Sequence, residues 1–292
     1  MIFRPRRGRA RWIAILPVAA AATALAGCGG GESEPEEAVA EPQILSIRVD
    51  EQGGAASLEV PKTAVPGLVE LTFDNAGEDP HAAELIRVEG VHSAAEVVEA
   101  LGAAEQGGPV PDWFFAGGGV GATPPGESRT VTQVFEPGTY YVFDTEAAGP
   151  AATDAEPPTI EVTGEAAAEA ELPEAPATIT ASEYAFESEG LTPGAGPVTF
   201  ENAGEQPHHI VAAPLREGAT VEDVEAFVED ESGAPPVDFE RGFSTAVVEG
   251  GDTQVVDLAF EPTNYALICF IADREGGPPH AQLGMVSEAV VE

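Results

Sequence analysis

Cys269 is one of only two thiols in this 292-residue chain; the other, Cys28, lies near the N-terminus. A single thiol in the body of the chain cannot close an internal disulfide. Left idle in an oxidising compartment it is open to oxidation, so a protected or metal-bound role gains weight. Cys269 ends Tyr265-Ala266-Leu267-Ile268-Cys269, where period-two alternation puts Tyr265, Leu267 and Cys269 on one face of a strand. Downstream comes Pro278-Pro279-His280, then Gly284-Met285; upstream, Pro207-His208 closes an Asn202-Ala203-Gly204 turn. One thiolate, two imidazoles and one thioether make up the ligand set of a trigonal His₂Cys copper site with a weak axial Met. Each has a plainer reading alone: Cys269 as a small buried hydrophobe, Met285 as core packing, the histidines as turn caps. With only 2 Cys, 2 Met and 5 His in the chain, their joint occurrence favours ligation. His209 is a rival for the first imidazole, but on a strand its side chain points away from that of His208.

Such ligands need a rigid frame, and the sequence describes one twice. Thr72-Phe73-Asp74-Asn75-Ala76-Gly77 with Pro80-His81 recurs as Thr199-Phe200-Glu201-Asn202-Ala203-Gly204 with Pro207-His208. Phe135-Glu136-Pro137 and Tyr140 recur as Phe260-Glu261-Pro262 and Tyr265. Between these anchors each copy has a short helical pattern opened by a hydroxyl residue, Ser93 before Ala94–Leu101 and Thr220 before Val221–Glu229. An acidic residue three positions later completes a capping box in each. The remainder reads as short strands punctuated by Gly and Pro, six to eight per copy, among them Ile44–Val49, Leu68–Phe73, Val198–Phe200 and Val255–Leu258. The chain is expected to be all-β, two tandem β-sandwich domains of Greek-key type with one short helix each.

The second copy resembles a cupredoxin of the plastocyanin/azurin type. Phe200 to Gly204 with Pro207-His208 is similar to the segment bearing that family's first histidine ligand, and Tyr265-x-Leu267-x-Cys269, His280 and Gly284-Met285-Val286 to its ligand loop and final strand. The resemblance implies one copper ion held by His208, Cys269, His280 and Met285. It departs from the small cupredoxins in the ten residues between Cys269 and His280, a longer loop of the kind found in the type 1 centre of copper nitrite reductases. The first copy keeps His81 but places Asp144 opposite Cys269, which does not make a soft copper site. The expected division is a signal peptide over 1–27, an acidic tether over 28–42, a degenerate cupredoxin-like domain over 43–164, an Ala/Glu/Pro linker over 165–176 and a copper-binding domain over 177–292.

Of 12 basic residues five lie between Arg4 and Arg11, and the 51 acidic ones begin at Glu32, giving a formal net charge of -39. Such a chain repels phosphate backbones, which excludes nucleic acid as a partner. The order of basic residues, apolar Trp12–Ala24, Leu25-Ala26-Gly27-Cys28 and an acidic tether resembles a bacterial lipoprotein signal. Lipid on Cys28 would then hold an extracytoplasmic protein to the cell membrane by that anchor only. The function expected is non-enzymatic carriage of single electrons, with a basic redox protein such as a cytochrome as partner. A copper-holding or delivery protein and a metal-free adhesion or solute-binding module are the alternatives. No His-Cys-His pair flanks Cys269, and five histidines cannot also furnish a trinuclear cluster, so multicopper-oxidase chemistry is disfavoured. The sequence leaves the oligomeric state open.

Overall fold

The computed structural model describes residues 41–52, 55–146, 156–165, 171–230 and 232–292. The expected signal peptide, Cys28, nearly all of the tether and the middle of the linker lie outside them. In the first half the strands are β1 (Gln43–Gln52), β2 (Ala55–Glu59), β3 (Thr63–Ala64), β4 (Gly67–Asn75), β5 (His81–Val88), β6 (Phe114–Thr123), β7 (Ser128–Phe135), β8 (Gly138–Phe143) and β9 (Thr159–Val162). The second half contributes β10 (Ala177–Ser182), β11 (Ala185–Glu189), β12 (Gly194–Asn202), β13 (Val211–Pro214), β14 (Phe243–Ser244), β15 (Thr253–Phe260), β16 (Asn264–Ile268) and β17 (Val286–Val290). Each half carries one α-helix among the described residues, α1 (Ala94–Glu105) and α2 (Val221–Asp230). The chain is therefore all-β with few short helices, consistent with two tandem cupredoxin-like β-sandwich domains.

The repeat is visible in the strand pairing. β1 runs parallel to β4 and antiparallel to β2, while β10 runs parallel to β12 and antiparallel to β11. β4 pairs with β7 as β12 does with β15, and β5 with β8 as β13 does with β16. The repeated residues have repeated jobs. Asn75 and Asn202 each receive the glycine N–H two residues on and donate back to the Asp79 and Gln206 carbonyls, pinning the turn before the histidine. The Tyr140 and Tyr265 hydroxyls accept the Glu136 and Glu261 N–H groups, fixing the corner that follows each Phe-Glu-Pro. Both helix starts form as expected: Glu96 and Asp223 reach back to the backbone N–H of Ser93 and Thr220.

One sheet of each half merges with its counterpart. β15 pairs with β7, giving a single eight-stranded sheet in the order β11-β10-β12-β15-β7-β4-β1-β2. At this seam the Gln133 side chain accepts the Gly119 N–H at 3.0 Å and donates to the Gly117 carbonyl at 2.8 Å, while Gln254 donates to Gln133. The glycine-rich β6 is what lets the halves meet. A Cβ on Gly121 would stand 2.2 Å from the Ser244 carbonyl oxygen, a distance no side chain tolerates.

Gly121→Ala is therefore expected to destabilise the chain by about 1–3 kcal/mol, since backbone atoms cannot move aside cheaply. Gly102→Ala, in α1 with nothing within 4 Å of the added methyl, is expected to stabilise by about 0.5–1 kcal/mol. Urea unfolding of the two variants checks this; shifts of the same sign would contradict it.

Candidate metal centre

Three segments outside the strands converge in the core of the second half: the turn ending at His208, the residue after β16 and the 3₁₀ turn that His280 opens. His208 follows the Asn202-pinned turn and exchanges two backbone hydrogen bonds with Val248, at 3.0 and 2.8 Å, which sets its ring inward. β16 alternates as expected: Tyr265, Leu267 and Cys269 enter the core between the sheets, while Ala266 and Ile268 pack under α2. The strand ends at Ile268, one residue before Cys269. The Cys269 carbonyl accepts the Ala281 N–H at 2.7 Å, so the return of the loop is tied to the thiol's own backbone. His280 opens a 3₁₀ turn, His280–Leu283, closed by Gly284 in the left-handed conformation at φ 99°.

The result is a triangle of atoms. The Cys269 Sγ lies 3.7 Å from His208 Nδ1 and 3.5 Å from His280 Nδ1, and the two nitrogens are 3.0 Å apart. All three residues are fully buried. Met285 is also buried, in the same apolar cluster as Cys269, its N–H donating to the His280 carbonyl at 2.9 Å. Of the expected ligands the structure thus brings His208, Cys269 and His280 into mutual contact and places Met285 in the same core; Cys28 lies outside the described residues. His209 lies outside any strand and is not part of the triad; its Nε2 accepts the Phe270 N–H at 3.0 Å. It steadies the residue after the thiol.

The protonation states suit ligation. Burial, reinforced by the facing His280, lowers the His208 imidazole to about 4. Burial also lowers His280, against the opposing pull of Asp273. Burial pushes the Cys269 thiol up to about 12. Both rings are therefore neutral near pH 7, with lone pairs available, while the thiol keeps its proton until something replaces it. Asp273 Oδ1 accepts the His280 Nε2–H at 3.1 Å and the Tyr184 hydroxyl also binds Asp273, at 2.9 and 3.1 Å. A carboxylate behind a ligating histidine fixes its tautomer and leaves Nδ1 as the free lone pair. His208 Nε2 has Glu183 at 3.7 Å and no hydrogen-bond partner.

The residues fit a metal. The point equidistant from three atoms separated by 3.0, 3.5 and 3.7 Å lies about 2.0 Å from each, close to the bond lengths of first-row metals to imidazole and thiolate. Among the described residues, His208, Cys269 and His280 form the one cluster of three or more His, Cys, Asp or Glu side chains with metal-binding spacing. The triad can coordinate a metal ion. No protein-family model matches the chain, and no curated protein matches it. Among solved structures it is similar to the reduced auracyanin of Roseiflexus castenholzii, with 22% identity over 39% of this chain and 94% of that one and a TM-score of 0.26. It is also similar to auracyanin B, with 20% identity, 39% and 86% covered and a TM-score of 0.27. Against the copper nitrite reductase of Nitrosomonas europaea the identity is 13%, with 86% and 93% covered and a TM-score of 0.26. The reading of the centre rests on its own side chains.

In the first half the corresponding position holds a different pair. His81 Nδ1 sits 2.5 Å from Asp144 Oδ2, and Asp144 Oδ1 accepts the Ala82 N–H. Glu51 stands behind His81 as Glu183 stands behind His208, at 3.6 and 3.7 Å. Asp144 thus takes the imidazole that a thiolate and a metal would share.

The long Cys269–His280 loop is held from outside its own sandwich. The Arg274 guanidinium pairs with Glu249 at 2.9 and 3.1 Å and donates to the Pro111 and Phe114 carbonyls of the first half. The Arg274 carbonyl accepts the Val110 N–H at 2.9 Å, and Gly277 donates to the Gly107 carbonyl at 2.9 Å. Asp273, Tyr184, Glu183 and Arg274 were not singled out from the sequence. In a chain with 51 acidic residues no single carboxylate stands out. Arg274 could have: it is one of seven basic residues beyond the N-terminal cluster, placed inside the ligand loop.

Metal uptake at pH 7 is expected to release about one proton, from the Cys269 thiol, because both imidazoles are already neutral. Calorimetric titration in buffers of different ionisation enthalpy measures it. Release of two or more protons, or undiminished release from Cys269→Ser, would contradict the assignment. Asp273→Ala is expected to weaken metal affinity about 10–100-fold by freeing the His280 ring, read by chelator competition; unchanged affinity would show that Asp273 does not orient the ligand.

Proposed function

We propose that the second sandwich holds one copper ion in a type 1-like centre, which His208, Cys269 and His280 would ligate with Met285 as a weaker sulfur donor, and carries single electrons. The observation that carries this reading is the buried triangle of one sulfur and two neutral imidazole nitrogens. Soft thiolate and thioether donors suit Cu(I), and imidazole suits both oxidation states. Copper held there would supply a one-electron couple. The chain's own contribution is rigidity and exclusion of water. Backbone hydrogen bonds fix His208, Cys269 and His280 from three sides, and Asp273 locks one ring, so a change of charge at the centre meets little movement. Burial leaves no approach for a substrate to the donor atoms, which favours outer-sphere transfer over catalysis at the centre.

Copper storage or delivery needs a loop that opens. The bonds from Arg274 and Gly277 to the first half favour carriage over exchange. In this reading the chain forms two domains, lipid on Cys28 would hold it outside the cytoplasm, and a basic redox protein would be its partner, in an association that weakens with salt.

Copper loading is expected to give an intense visible thiolate-to-copper band and a reversible one-electron couple, both lost in Cys269→Ser. Met285→Leu is expected to keep the band and raise the potential, as removal of an axial sulfur does. Stoichiometric copper without the band, or no copper uptake, would overturn the reading.

A further inference from the structure

A cavity of ≈ 570 Å³ opens between the two halves, walled by Leu101, Phe114, Val211, Val247, Phe270 and Ile271. Pockets of this size at a domain boundary, apolar with a few convergent polar groups, are where small molecules bind. The polar group here is Glu84. Its carboxyl is buried, with 6% of the residue exposed, yet it lines the cavity. One oxygen accepts the Val247 N–H at 3.0 Å, and the described residues offer it no cation. The other charged groups around the cavity are Glu105, Glu146, Glu249, Asp273 and Arg274. Arg274 is spent on Glu249 and on two carbonyls, and Asp273 on Tyr184 and His280. The lining thus carries an excess of carboxylates and, among the described residues, one buried acid without a cationic partner.

We propose that this cavity is a binding site for a small organic cation, an amine with an apolar body, whose ammonium group pairs with Glu84. The apolar walls take the hydrocarbon, and the surrounding acids favour a positive ligand and reject an anion. Burial raises the Glu84 carboxyl to about 8, so the acid is largely protonated near pH 7; pairing with an ammonium group would ionise it and release its proton to solvent. The cavity shares the Cys269–His280 loop with the metal centre but none of the four expected ligands lines it, so a failure here leaves the copper reading untouched.

The test is calorimetric titration of the metal-free folded chain with 4-phenylbutylamine, 4-phenyl-1-butanol and 4-phenylbutyrate, three probes of one shape and different charge. The amine is expected to bind saturably at one site, at least about tenfold tighter than the alcohol, as a charge-assisted hydrogen bond allows, with no saturable binding of the acid. In Glu84→Gln the amine should lose about tenfold while the alcohol changes by less than about twofold, which also reports that the variant is folded. Absence of saturable amine binding, equal affinity for amine and alcohol, or an amine affinity unmoved by Glu84→Gln would overturn the proposal. The comparison of probes on the native chain stands without any variant.

Discussion

Burying two imidazoles and a thiol within 4 Å of one another costs folding free energy unless each polar atom has a partner. In this chain most of the partners are supplied, the buried His208 Nε2 being left without one, and the need that remains is at the centre itself. His280 donates its Nε2–H to Asp273, the backbone of Cys269 is bonded on both sides, and the histidine ahead of the turn is held through Val248. What is left are three lone-pair atoms facing one point, with two rings that resist protonation and a thiol that holds its proton. A metal ion is a partner that can answer all three at once. The first half shows the other solution to the same burial problem: a carboxylate, Asp144, directly on the imidazole of His81.

The frame around that centre explains the ten-residue interval between Cys269 and His280. A loop of that length confined to its own sandwich would pay conformational entropy for a fixed ligand position. Here the interval is clamped against the first half by Arg274, Gly277 and the Val110 N–H, and the two halves are themselves joined through the β7–β15 pairing. The first half, whose corresponding position holds the His81–Asp144 pair, supports the ligand loop of the second. Glycines in β6 make that possible by letting the chain around Ser244 approach.

Much of this was legible in the sequence because it is local. The repeated Asn-Ala-Gly turns, the capping boxes at Ser93 and Thr220 and the alternation through Cys269 each rest on a few neighbouring residues, and His208, Cys269 and His280 stood out because such side chains are rare here. What was not legible is long-range or hidden by composition. β6 carries four glycines, a poor strand former on propensity, yet it pairs with β5, and the missing side chains admit backbone from the other half. Arg274 reaches carbonyls more than 150 positions away, and Asp273 is one carboxylate among many.

X-ray absorption at the copper edge of the loaded protein tests the central claim most directly. The account predicts one sulfur scatterer at about 2.2–2.3 Å and two imidazole nitrogens at about 2.0 Å, the sulfur vanishing in Cys269→Ser. A first shell of nitrogen and oxygen only, with Cys269 intact, would contradict it.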